Sequence, residues 1–201
     1  VNGTVETTGM TFLNDTKNFV LTGTGAISGT GALVKQGTGN LTLSAVNSDY
    51  TGATIVNGGT LIVNELAEAG LPSSIGAATA LPSNLKISDA AIIVNNANTA
   101  TTRGMTIDGT ATLNITSGYT TLKGIITGAG ELVKKGSGQL NLTYAGSNTY
   151  TGGTLVNGGT LAMGAYNTTF GKLGSTLTIQ SGTVQIFDNN STSAIPNFNY
   201  A

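Results

Sequence analysis

The chain contains no cysteine, no histidine and no tryptophan. Without thiolate or imidazole it cannot build a zinc site from those donors, a thiol nucleophile or a serine–histidine pair. The missing cysteines do not place it in the cytosol, because an oxidising compartment permits disulfides without requiring them. Charge is scarce too, with eight basic and nine acidic residues and a net charge of −1. That balance gives no electrostatic case for nucleic acid or for an anionic membrane surface. No apolar run approaches the roughly 18 residues of a membrane helix. Val1 begins no signal peptide, so the sequence reads as a piece of something longer.

What the chain does have is glycine, 30 residues of it, alongside abundant threonine and asparagine. Threonine favours strands, while glycine and asparagine favour the tight turns between them. Much of this composition is organised into a stretch that occurs twice. The first copy runs from Gly29 to Leu43 and from Tyr50 to Leu61, the second from Gly128 to Leu142 and from Tyr150 to Leu161. Nineteen positions are identical, among them Lys35 and Lys134, Tyr50 and Tyr150, and the pairs Gly58-Gly59 and Gly158-Gly159. The offset is 99 residues in the first block and 100 in the second, so the joint between blocks carries one inserted residue. A period of this kind is the signature of a repeat architecture.

Within each copy the apolar residues alternate. Leu41 and Leu43 bracket Thr42, and Leu61 and Val63 bracket Ile62, the period of two expected of strands with one face inside. Asn57-Gly58-Gly59 signals a turn, and glycine interruptions hold each strand to about three to five residues. Leu41 and Leu61 lie 20 residues apart, which suits one turn of a coil whose turns stack on each other. A sandwich would want longer strands and short hairpin loops. The expected fold is therefore all-β, a parallel β-helix or β-solenoid of roughly 8–10 rungs, with residues 1–201 forming one segment. Two spacers, 64–84 and 164–174, break the pattern as decorations. Asn64 to Gly70 has the caps of a one- or two-turn helix. Val1 and the tail Ile195 to Tyr200 are expected near raw ends or as partial caps.

The frame Gly31-x-Leu33-x-Lys35-x-Gly37-x-Gly39-x-Leu41-x-Leu43, followed by Tyr50-x-Gly52-x-Thr54-x-Val56-x-Gly58-Gly59-x-Leu61, resembles the passenger-associated repeat of bacterial autotransporters. The second copy carries it from Gly130 to Leu161, with Asn148 where the first has Ser48. The resemblance implies a right-handed parallel β-helix in the passenger of a type V secreted protein. It also implies export through a C-terminal outer-membrane barrel, which these residues do not include, and a cell-surface or secreted location. Passengers of that family are mostly adhesins, with some toxins, receptor ligands and enzymes. The expected function is a structural and adhesive stalk segment whose repeats support export and stepwise folding. Its expected partners are protein or glycan molecules of host or bacterial surfaces, with edge-to-edge self-association possible and no nucleic acid. The alternative is a released fragment acting as a host-receptor ligand or a glycan-active virulence factor.

No residue stands out as catalytic, cofactor-binding or metal-ligating, so the expectation is no enzyme and no cofactor. Lys35 and Lys134 sit in glycine-rich frames but lack the Gly-Lys-Ser/Thr order of a phosphate cradle, and their recurrence points to a structural task. Asp15, Asp89 and Asp108 could form a column along stacked rungs, yet nothing selects them for acid–base work. No Gly-Gly-x-Gly-x-Asp run suggests a calcium roll. Tyr50 and Tyr150 read as rings packed over a corner with their hydroxyls at the surface. Asn57 and Asn157 read as turn residues, stacked where neighbouring rungs align. Phe170, Phe187, Phe198 and Tyr200 would form an adhesive patch or a cap. Recognition is expected in the parts that differ between the copies, 64–84 and 164–174.

Overall fold

The computed structural model describes residues 1–44, 47–95, 98–143, 148–165 and 176–188. Among them run seventeen strands. The first eight are β1 (Val5–Glu6), β2 (Met10–Leu13), β3 (Phe19–Leu21), β4 (Ile27–Ser28), β5 (Leu33–Gln36), β6 (Asn40–Leu43), β7 (Thr54–Asn57) and β8 (Thr60–Val63). The rest are β9 (Leu85–Val94), β10 (Thr99–Thr101), β11 (Met105–Ile115), β12 (Tyr119–Leu122), β13 (Ile126–Thr127), β14 (Glu131–Lys135), β15 (Gln139–Leu142), β16 (Thr154–Ala165) and β17 (Leu177–Asp188). The pairings between these strands are parallel, and they stack into a β-solenoid of about 8 turns. The expected all-β solenoid is therefore what the chain forms.

β1 and β4 pair as a separate two-stranded sheet, and the pairings of the other fifteen strands define three stacks. The first joins β2, β5, β7, the start of β9, the start of β11, and β13. A second joins β3, β6, β8, the end of β9, the end of β11, β14, and the starts of β16 and β17. In the third, β10, β12 and β15 continue into the later parts of β16 and β17. One row of the second stack passes through every turn: Phe19, Leu41, Leu61, Ile92, Leu113, Lys134, Val156 and Ile179. At roughly 4.8 Å per turn the eight layers span on the order of 35 Å. The alternation read from Leu41/Leu43 and Leu61/Val63 places all four in the core.

Four strands are longer than glycine interruption predicts, since β9, β11, β16 and β17 run 10 to 12 residues. They are long because they bend instead of breaking. Asp89 at φ 46° and Gly109 at φ 62° make bulges that carry β9 and β11 from the first stack round into the second.

The helix expected from Asn64 to Gly70 does not form; the segment is irregular and ends in a turn. Its backbone carbonyls are claimed from outside. Arg103, 3% exposed, reaches into the spacer and donates through Nε to Ala67 O (2.9 Å) and through its terminal nitrogens to Gly76 O (2.7 Å), Ala78 O (3.3 Å) and Glu68 O (3.4 Å). Thr101 Oγ1 also donates to Ala67 O, at 2.8 Å. Five donations from a neighbouring turn offset what a short isolated helix would gain, because such a helix is marginal on its own. Leu66 and Ile75 of the same spacer are buried in the core. Of the spacer 164–174, residues 164 and 165 end β16, while 166–174, the tail Ile195 to Tyr200, and Phe170, Phe198 and Tyr200 lie outside the described residues, as does the Phe187 side chain.

Candidate functional site: a lysine staple built twice

Lys35 follows Leu33 by two residues on β5, so strand geometry points both inward. An inward lysine in an apolar coil must find acceptors for its ammonium, since an unpaired buried charge is costly. The fold supplies three backbone carbonyls. Lys35 Nζ donates to Gln36 O (2.8 Å) and Gly37 O (2.7 Å) on its own turn and to Gly58 O (3.3 Å) on the next. Its stem lies in register between Phe12 and Val56. The second copy repeats the arrangement: Lys134 Nζ donates to Lys135 O (2.7 Å), Gly136 O (3.0 Å) and Gly158 O (3.2 Å). Both lysine side chains are fully buried, whereas Lys135 is exposed. The lysine is a staple that ties one turn to the following one.

The double glycine exists to admit that staple. A Cβ on Gly59 would fall 2.5 Å from both Gly37 O and Gly39 O and 2.9 Å from Lys35 Nζ. On Gly159 it would fall 2.3 Å from Gly136 O and Gly138 O and 2.9 Å from Lys134 Nζ. Both glycines also sit at φ near +60°, where a side chain is strained. The positive φ thus belongs to the glycines, while Asn57 and Asn157 lie within β7 and β16. Asn57 stacks between Gln36 and Ser88, so no asparagine ladder forms there.

The tyrosines are buried parts of the same unit, not surface rings. Tyr50 is 1% and Tyr150 0% exposed. Tyr50 Oη lies 2.8 Å from Thr54 Oγ1, and Tyr150 Oη lies 2.6 Å from Thr154 Oγ1. The hydroxyl stays inside because an inward threonine two turns of pleat away provides its partner, and Thr54 Oγ1 in turn donates to Ile75 O at 3.2 Å. Burial pushes both phenols up to about 12. Where the copies differ, at Ser48 and Asn148, the task is conserved in geometry. Ser48 Oγ accepts from Ile27 N at 3.1 Å, and Asn148 Oδ1 accepts from Ile126 N at 2.9 Å.

The two staples do not share a face. Lys35 belongs to the first stack, in a row with Val56, Ile87 and Ile107. Lys134 belongs to the second, directly over Leu113 and below Val156. Likewise β6 and β8 lie in the second stack, but their counterparts β15 and the later part of β16 lie in the third. The unit is therefore self-contained over two turns and indifferent to which side of the coil carries it. Their surroundings differ by one charge. Burial lowers Lys35 while Asp15 pulls it back up, whereas Lys134 has no such neighbour and burial brings it down to about 8.

The remaining candidates are dispersed. Asp15 Oδ1 accepts from Thr38 N at 3.2 Å and Asp89 Oδ1 from Thr110 N at 2.9 Å, each capping a corner of the next turn. Asp108 is exposed and pairs with Ser88. Among the described residues no three carboxylates gather as a metal site would require. Arg103 escaped the sequence reading. The one signal available, a lone arginine beside a glycine in a nearly uncharged chain, does not say where its guanidinium goes.

Fold and site together define a parallel β-solenoid assembled from a stapled two-turn unit. The chain matches the Passenger-associated-transport-repeat family at residues 33–63 and 132–163, which are the two stapled units. It is also 40% identical over 128 residues to the adhesin BmaC autotransporter of Brucella suis biovar 1 (strain 1330). That alignment covers 62% of this chain and 4% of the relative's length. No solved structure matches the chain. These findings support an autotransporter passenger segment carrying passenger-associated-transport-repeats. They likewise support a surface-exposed or secreted location reached through an outer-membrane translocator.

Proposed function

We propose that this chain is one rod-like segment of a longer adhesive passenger, in which the two stapled repeats make the rod fold and the variable parts contact host or neighbouring cells. The observation that carries the reading is the lysine staple itself, repeated atom for atom on two different stacks. A binding site would keep its face and its access to solvent, whereas Lys35 and Lys134 keep neither. Each unit closes two turns with local contacts and leaves an open strand edge for the next turn, so folding can propagate along the axis without long loop closures. Stepwise folding at an exit pore would then bias export outward. The spacer 64–84, held by Arg103 and carrying exposed Leu71 and Leu81, serves as the variable decoration. The role is non-enzymatic in this reading, supported by an adhesin-named relative.

The test is surface display of the full autotransporter with Gly59→Ala and Gly159→Ala introduced together. The expected result is reduced passenger at the cell surface with accumulation before the outer membrane, and adhesion lost in proportion. Unchanged display by cells carrying both substitutions would remove the folding role.

A further inference from the structure

The two repeat copies belong to larger blocks that match turn for turn. Lys35 stacks on Phe12 and Lys134 on Leu113, so β2 corresponds to the end of β11. Val5 pairs with Ile27 as Met105 pairs with Ile126, so β1 corresponds to the start of β11. Further along, Val56 pairs with Ile87 and Leu61 with Ile92, while Val156 pairs with Ile179 and Leu161 with Val184. β9 therefore corresponds to β17. The chain is two four-turn blocks, 5–94 and 105–188, the second set one stack round from the first.

Inside the chain the blocks join where β11 lies on β9, with Ile107 on Ile87, Thr112 on Ala91, Leu113 on Ile92 and Ile115 on Val94. Both surfaces of that joint recur at the two ends of the solenoid. Among the described residues β17 pairs only with β16, β1 only with β4 and β2 only with β5. Exposure follows the pairing. At the joint Ile87, Ile92 and Val94 are 0% exposed, whereas their counterparts Ile179, Val184 and Ile186 are only partly buried. Leu113 is likewise 0% exposed, and Phe12 in its place is only partly buried. Each end thus presents a row that the other end's equivalent covers inside the chain.

We infer that β17 of one chain receives β1 and β2 of a second copy, reproducing between chains the joint that β9 and β11 make within one. The register carries over residue by residue: Thr11 of the second copy falls on Thr183, Phe12 on Val184 and Leu13 on Gln185. Phe12 then covers Val184 as Leu113 covers Ile92, and the unpaired backbone groups of both edges gain partners. The contact is weaker than the internal joint because three places differ. A Cβ on Gly29 would fall 2.2 Å from Thr7 O, as one on Gly128 falls 2.1 Å from Ile107 O, so Thr7 stands in the place of Ile107. By the same comparison, at Gly25 and Gly124, Gly3 stands in the place of Arg103. Gly39 N donates to Asn14 O as Gly138 N donates to Ile115 O, so Asn14 replaces Ile115. Since the two joined surfaces are different, the contact is head to tail and leaves an open end for the next copy.

Leu13 and Gln185 are both exposed, so cysteines there test the register without entering the core, and the chain has no cysteine of its own. Leu13→Cys chains are mixed with Gln185→Cys chains at rising concentration and oxidised mildly. The expected result is a mixed disulfide dimer, and a ladder of longer multimers when each chain carries both cysteines. Val20 is exposed on β3, whose counterpart β12 takes no part in the joint with β9. Val20→Cys should therefore give about tenfold less mixed dimer with Gln185→Cys than Leu13→Cys does. Adding Val184→Lys to the Gln185→Cys chain should lower the yield about tenfold, with circular dichroism confirming the fold. Equal yields from Leu13→Cys and Val20→Cys would overturn the inference, as would an undiminished yield with Val184→Lys. So would light scattering of the parent chain that shows a monomer at every concentration or a dimer that grows no further.

Discussion

Replacing Lys134 by methionine keeps most of the stem and removes the ammonium. Three carbonyls, on Lys135, Gly136 and Gly158, lose a charged donor at 2.7 to 3.2 Å. Bonds to a charged group contribute about 1.5–3 kcal/mol each, and orphaned buried acceptors cost about 1–3 kcal/mol. Against this stands the cost of burying the charge. A lysine brought from 10.5 down to about 8 is penalised at neutral pH by at most about 3 kcal/mol. Screening near the corner reduces that to about 1–2 kcal/mol. The lost bonds win, and Lys134→Met is expected to destabilise the chain by about 2–4 kcal/mol at pH 7. The pH dependence supplies a second, sharper readout. Because the folded value lies below the unfolded one, the unfolded chain holds more protons between about pH 8 and 10.5, and wild-type stability rises with pH across that window. Above pH 10 the measurement must stop. Tyr50 and Tyr150, raised to about 12, contribute stability that is full below 10 and lost beyond it. Urea unfolding at pH 7, 8, 9 and 10 is the assay. The substitution should lower stability at pH 7 and flatten the rise. A variant as stable as the parent at pH 7, or one with the parent's slope, would refute the staple.

Two further perturbations separate the parts of the account. Gly59→Ala should cost about 3 kcal/mol or more, because its Cβ meets two backbone carbonyls, while Gly70→Ala, also at positive φ but with nothing within 4 Å, should cost about 1–2 kcal/mol. Urea midpoints of the pair decide it, and equal losses would mean that φ, not the staple, demands glycine. Arg103→Met should release the spacer 64–84 while sparing the solenoid. Hydrogen exchange should accelerate at 66–78 and stay slow at Leu41, Leu61 and Leu113.

The sequence made the rung legible but not its place on the coil. Alternation at Leu41/Leu43 and Leu61/Val63 located the inward rows, because a strand's period of two is a local property. Recurrence of Lys35 and Lys134 in an identical frame implies an identical environment, and both ammonium groups donate to equivalent backbone carbonyls. Which stack each copy occupies depends instead on the summed lengths of corners and of the spacer 64–84, and those lengths carry no local pattern. A phenol prefers water, so sequence alone places the Tyr50 and Tyr150 hydroxyls at the surface. Their inward partners, Thr54 and Thr154, sit at positions where threonine looks like any strand former. The helix expected from Asn64 failed since its competitor, Arg103, lies some 35 residues away in sequence.

The second repeat copy sits one stack round from the first, so that Lys135 lies beside Asn114 and not beside Asp108. The absence of native cysteine makes this directly testable. Asn114→Cys with Lys135→Cys places two outward side chains on directly paired strands, within the roughly 4.4–6.8 Å Cα separation that a disulfide tolerates. Under mild oxidation this pair should cross-link rapidly and completely, and Asp108→Cys with Lys135→Cys should stay reduced. Cross-linking of the second pair and not the first would place both copies on one face and refute the offset between them.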